Sequence, residues 1–195
     1  MADPPAIDPA LLEAGRRALR AHGWAATTAE RIAAEAGISR VTLHRRGIRR
    51  DDVLAALAAL AVAAYREALW PALVAEGSGR SRLELALQAT LTVAEEHLDV
   101  LVALQAASDA VFHALEAPAG EPVATRSDFT DPLERLLRDG ARDGTLRPVE
   151  DPRETATVVF NAVGFTYLHL RTGHQWPPER AARGTLDLAL RGLVA

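Results

Sequence analysis

Apolar residues return along this chain at intervals of three and four, the spacing that lines one side of an α-helix; β-branched residues do not gather into the alternating runs of a strand. Capping and breaking residues divide the pattern into nine helical segments, which predicts an all-α protein. Asp8-Pro9 opens the first as an N-cap followed by proline. Leu12, Ala18 and Leu19 line its inner face to about His22, and Gly23 ends it. Trp24 is expected in the core, over the joint to the next helix. Thr27 followed by Glu30 is a capping-box start for a second helix, with Ile32 and Ala33 inward, and Gly37 stops it. Ser39 caps a third, in which Leu43 points inward while Arg40, Thr42, His44, Arg45 and Arg46 are polar.

The fourth segment starts near Arg50-Asp51-Asp52, whose acids suit a helix N-terminus. Residues 53–64 carry no polar side chain. Twelve residues are too few to cross a bilayer, and a helix apolar all round is expected to be buried on every side. Pro71 should kink or end it. Ser81 is the expected cap of a fifth helix carrying Leu83, Leu87, Leu91 and Ala94, which ends near His97. Asp99 opens a sixth, running through Leu104 and Phe112 to about Leu115. A loop over residues 117–127 precedes a seventh helix at 129–142, with Pro132 in its first turn. A turn and a short extended piece lead to Asp151-Pro152 and an eighth helix to about Thr172, with Val158, Val159, Ala162, Val163 and Thr166 along one flank. Pro177 and Pro178 open the ninth, which ends near Val194.

Composition narrows the reading. The 195 residues are 49% hydrophobic and 25% charged, an ordinary globular balance with room for a sizeable core. There is no cysteine, hence neither disulfide nor thiol chemistry. The first residues lack the basic region of a signal peptide, and a cytoplasmic protein without a membrane anchor is expected. The net charge of −4 is unevenly spread: nine arginines against five acids give residues 1–50 a charge of +4, and the remainder carries −8. A basic head on an acidic body points to a polyanion as partner of the head alone. Every one of the 22 basic side chains is arginine, whose planar fork suits guanine edges and phosphates.

Residues 27–50 combine these features. A short capped helix, a glycine turn and a second, basic helix have the form of a helix-turn-helix, whose second helix fits the DNA major groove. Other chemistry finds little support. There is no HExxH, no Glu-x-x-His pair, no glycine-rich phosphate loop and no GxSxG, and Ser81, Ser108 and Ser127 have no recognisable base. No metal, no cofactor and no enzymatic activity are expected.

The run GWAATTAERIAAEAGISRVTLHRR, followed by a long helix, resembles the DNA-binding domain of TetR-type transcriptional regulators, and GARDGTLRPVEDPRETATVVFNAVGF is similar to that family's seventh-to-eighth helix region. The resemblance implies a homodimeric nine-helix protein with a DNA-binding domain at 1–50 and a ligand-binding and dimerisation domain at 51–195. Most such proteins are repressors that a small molecule releases from an operator. Carried over by position, Thr28, Ser39, Thr42, His44 and Arg50 would hold phosphates, and Arg40, Val41 and Arg45 would face bases, with Arg46 in the same basic cluster. Trp70, His97, Phe112, His113, Phe160 and Tyr167 are candidates to line a pocket for an apolar or mixed effector. The dimer would form through the last two helices, with Val159, Val163, Thr166, Leu186 and Leu190 as candidate contacts.

Two positions depart from the family pattern. His44 stands where a tyrosine is usual, and Gly47-Ile48 where an aromatic residue plugs the small core under the recognition helix. Gly47 is expected to act as a left-handed C-cap, with Ile48 as the plug. The departures keep open a second reading: an all-α small-molecule-binding protein on the same scaffold that has lost specific DNA binding.

Overall fold

The computed structural model describes residues 7–107 and 126–194. Its first helix, α1 (Pro9–Ala26), is capped by Asp8, whose carboxylate accepts from the Leu11 N–H at 2.9 Å. Gly23 leaves the helical region at φ 67°, but hydrogen bonding then resumes, so a last turn runs on to Ala26. α2 (Ala29–Glu35) starts one residue later than the expected capping box. Thr28 accepts from the Arg31 N–H, while Thr27 is buried and donates to the carbonyls of Gly23 and Ala18 at 2.7 and 3.2 Å. α3 (Arg40–Arg45) is capped by the Ser39 hydroxyl, which accepts from the Thr42 N–H at 3.1 Å.

α2 and α3 end in the same way. Gly37 and Gly47 adopt φ of 68° and 70°, conformations open to glycine at little cost. Beyond them the N–H of Ile38 bonds back to Ala33 at 2.9 Å, and that of Ile48 to Leu43 at 3.3 Å. The glycine N–H groups bond to Ala34 and His44. This is the Schellman closure, in which the residue after the glycine packs against the helix it has just left.

α4 (Arg50–Val74) opens with the Asp52 carboxylate reaching back to the Arg49 N–H at 2.8 Å. One expectation is narrowed here and one fails. The helix does not end at Pro71 but continues to Val74, where Arg82 donates to the Ala72 and Leu73 carbonyls at 3.3 and 3.0 Å and so supplies donors the last turn lacks. Nor is it buried on every side: Leu60 is 49% and Trp70 64% exposed. The helix is long and apolar enough to cross a membrane, yet Val53, Leu54, Leu57 and Ala58 are residues of a protein core.

α5 (Gly79–Glu96), α6 (Leu98–Ala107), α7 (Arg126–Arg142), α8 (Pro152–Thr172) and α9 (Pro178–Arg191) complete the nine helices among the described residues, and the fold is all-α. Ser78, rather than Ser81, caps α5, accepting from the Ser81 N–H, while Asp143 takes the Gly79 N–H at 2.6 Å. The expected end of the sixth helix at Leu115 lies outside the described residues. The extended piece after α7 forms one antiparallel bridge, Leu146 to Val194.

The helices fall into two compact units. The first comprises the described residues up to Ala63 and those from His97 to Ala107. Its core joins Leu11, Leu19, Ile32, Leu43 and Ile48 to Val53 and Leu57 of α4 and Val100 and Leu104 of α6. Gly15 lets α1 cross α4 closely, since a Cβ there would stand 2.5 Å from Val53 Cγ1. The three-helix head therefore does not rest on its own small core; α4 and α6 extend it.

The second unit comprises Ala64–Glu96 and the described residues from Arg126 onward. Leu83, Leu87, Leu133, Leu136, Val163 and Tyr167 are among its fully buried side chains. A bidentate pair links α5 to α8: Arg171 donates to both Glu95 oxygens at 2.8 and 2.6 Å, and the Tyr167 hydroxyl adds a third bond at 2.8 Å. The Arg171 hydrogen bonds hold the Glu95 carboxyl below its usual range.

Candidate nucleic-acid interface

Because Leu43 is 1% and Ile48 5% exposed, α3 is anchored by one face and presents the rest. Ser39, Arg40, Val41, His44, Arg45 and Arg46 are exposed, and Thr42 is half-buried. Val41, 70% exposed, is a large apolar side chain with no packing role, of the kind that meets a thymine methyl in the major groove. Thr28 is exposed at the start of α2, where its hydroxyl already accepts from Arg31. Arg50, which follows the head, is half-buried: its guanidinium lies 3.8 Å over the Trp24 ring and also approaches the Thr27 carbonyl at 3.4 Å. Trp24, expected as a core residue, is half-buried and offers that ring face as a platform.

Sequence reasoning missed the carboxylates that meet the arginines of this segment. Glu30 holds Arg40 at 2.6 Å, Asp8 holds Arg46 at 3.2 Å, Asp52 holds Arg49 at 2.9 Å and Asp51 holds Arg50 at 3.1 Å. Between Arg40 and Arg50, Arg45 alone has no carboxylate partner among the described residues. The short steps from Arg49 to Asp52 and from Arg50 to Asp51 were legible in the chain. The Asp8 and Glu30 pairs arise only when α1, α2 and α3 are brought together.

This geometry has known relatives. A model of the bacterial regulatory proteins of the tetR family matches residues 11–57, and a model of the tetracyclin repressor-like C-terminal domain matches residues 76–193. The chain belongs to the TetR family. It is a transcriptional regulator with a DNA-binding helix-turn-helix and a ligand-binding C-terminal part, as the family is. The same fold occurs in PfmR, a TetR family regulator from Thermus thermophilus, at TM-score 0.71 and 22% identity over 94% of this chain and 98% of that one. It also occurs in SmeT, the repressor of the Stenotrophomonas maltophilia multidrug efflux pump SmeDEF, at TM-score 0.68 and 23% identity over 100% and 93% of the two chains. A SmeT–triclosan complex gives TM-score 0.66 and 23% identity over 95% and 90%. No curated protein matches the sequence.

Within the TetR frame, the Gly47-Ile48 departure has a structural answer. The aromatic plug usual at position 47 is replaced by Ile48, which the Schellman turn delivers to the same core as Leu43. His44 stays exposed at the end of α3.

The pocket candidates that the structure describes fall in both units. His97 belongs to the first unit, where its Nδ1 lies 2.6 Å from Arg16, and Trp70 is exposed. Phe112 and His113 lie outside the described residues. Phe160 does find partners in the second unit: Tyr65 and Phe129, at ring distances of 6.0 and 5.1 Å. The Tyr65 hydroxyl donates to the Phe129 carbonyl at 3.1 Å, and burial pushes its ionisation well above the usual range, so it stays neutral. Tyr167 is engaged with Glu95.

The dimer candidates differ in exposure. Val159, Val163 and Leu190 are buried inside their own unit at 7, 1 and 9% exposure, and Leu186 is half-buried; Thr166 is exposed. The apolar side chains that α8 and α9 leave exposed are Val158 at 66%, Phe165 at 48% and Leu188 at 73%. Successive helical positions differ by about 100°, so one residue's shift along α8 moves the apolar stripe from the core to the surface.

Proposed function

We propose that the protein is a cytoplasmic, homodimeric repressor that a small apolar or mixed effector releases from a pseudo-palindromic operator. The observation that carries this reading is the exposed pair Val41 and Arg45 on a helix locked from below by Leu43 and Ile48. In a symmetric dimer, two such helices would read half-sites about 34–36 Å apart. Arg40, Val41 and Arg45 face bases, while Thr28, Ser39, Thr42, His44, Arg46 and Arg50 serve the phosphates. The capped, buried base of α3 supports this reading over one in which the head has given up DNA.

The effector would enter the second unit beside Tyr65, Phe129 and Phe160, whose rings supply an apolar wall and whose neutral phenol is a polar anchor. The triclosan-bound SmeT, of the same fold, supports an effector of this mixed character. α4 belongs to both units and is the element through which the effector would act. The effector must bind the DNA-free state more tightly than the bound one, since equal affinity shifts nothing.

Selection of bound sequences from a random DNA pool tests the whole reading, because one result bears on affinity, symmetry and half-site spacing. Against the selected site, Arg45→Ala should lose about 1–3 kcal/mol, roughly 5- to 150-fold in Kd, and relax preference at one base position. Unchanged preference would remove Arg45 from base reading. Phe165→Glu, placing a charge on the exposed face of α8, should convert the dimer to monomer in sedimentation and leave helicity intact. A persistent dimer would put the interface elsewhere.

A further inference from the structure

We infer that Glu30 is a specificity-determining residue of the DNA interface: its carboxylate competes with DNA phosphate for the Arg40 guanidinium and so suppresses binding to non-cognate DNA. The inference rests on the DNA-binding reading above. Glu30 sits in the first turn of α2 and meets Arg40, the first residue of α3, at 2.6 Å. Both side chains are well exposed, at 51 and 70%, so the pair lies on the surface that DNA must approach. Hydrogen bonds from its own backbone N–H and from the Thr28 hydroxyl, with the charge of Arg40, hold the Glu30 carboxyl below its usual range.

Exposed ion pairs contribute little net stability, so Arg40 can leave Glu30 when something better is offered. In a cognate complex a guanine edge gives the Arg40 fork two directed hydrogen bonds at a position fixed by the rest of the interface. A phosphate on random DNA offers the charge and the hydrogen-bond acceptors that Glu30 already supplies, so the exchange gains little, and the released carboxylate would repel that phosphate. The penalty thus falls more heavily on non-cognate than on cognate binding. Asp8 stands in the same relation to Arg46 at 3.2 Å, while its other oxygen caps α1.

The test compares Glu30→Gln with the wild type on the selected operator and on random duplex DNA, over a series of salt concentrations. Glu67→Gln, at an exposed position of α4, is the control for net charge alone. Glu30→Gln should bind random DNA several-fold more tightly, steepen the dependence of log K on log salt by about 0.9, and lower the ratio of operator to random affinity. Asp8→Asn, which keeps a good N-cap while removing the charge, should act in the same direction. Unchanged slope and ratio in Glu30→Gln, or an equal effect from Glu67→Gln, would overturn the inference while leaving the DNA-binding reading intact. Failure of the wild type to bind either DNA at low salt would end both.

Discussion

Gly79→Ala should lower the unfolding midpoint by about 6–12 °C, the equivalent of roughly 3 kcal/mol for a chain of this size. A Cβ at Gly79 would stand 2.1 Å from the Gly140 nitrogen, 2.3 Å from its Cα and 2.7 Å from the Asp139 carbonyl carbon. All three are backbone atoms of α7, and none can swing aside as a side-chain end can. The start of α5 would have to lift off α7, breaking the 2.6 Å bond from the Gly79 N–H to Asp143 and loosening the core that both helices line. Gly144→Ala is the proper comparison. There the backbone sits at φ 75° with open space around the missing Cβ, so only the conformational cost of about 1–2 kcal/mol applies. Differential scanning of the two variants separates close approach from backbone conformation. A Gly79→Ala midpoint no lower than that of Gly144→Ala would mean that the two helices part without loss.

This close approach was invisible in the sequence, and the reason is general to the chain. Local chemistry was legible: Asp8, Ser39, Gly37 and Gly47 act through bonds that span three to five residues, and their spacing announced the helix ends. The misplaced caps at Thr27 and Ser81 are errors within that same range, because Thr27-Thr28 and Ser78–Ser81 each hold two acceptors and only tertiary packing selects one. What packs against what was not legible. In α8, Val158 and Val159 are chemically identical neighbours, yet one is 66% exposed and the other 7%. Nothing in the local pattern decides between them; the neighbouring helices of the second unit do. The same holds for the recognition surface. The arginines were plain in the sequence, but the carboxylates that meet Arg40 and Arg46 come from α2 and from the cap of α1.

Ile48→Ala should abolish measurable operator binding at concentrations where the wild type saturates, and Gly47→Phe should not restore it. Ile48 is 5% exposed within a core shared with Leu43, Ile32, Leu19 and Val53. Truncating a buried isoleucine to alanine costs about 2–5 kcal/mol through lost burial and the cavity left behind. That loss falls at the C-terminal closure of α3, where the Ile48 N–H bonds to Leu43 and the side chain seals the turn. Each 1.4 kcal/mol by which the ordered head is disfavoured beyond its margin weakens apparent DNA affinity about tenfold, since only the competent fraction binds. An aromatic at position 47 is the usual plug in the family. Here Gly47 stands at φ 70° and a Cβ would meet nothing within 4 Å, so a phenylalanine would be strained and aimed away from the core. The double variant Gly47→Phe/Ile48→Ala should therefore bind no better than Ile48→Ala, and amide exchange should show α3 losing protection while Tyr167 and its neighbours keep theirs. Rescue by the phenylalanine would show that the turn after α3 can revert to the family's usual geometry, and that the plug at Ile48 is a preference of this sequence rather than a requirement of its backbone.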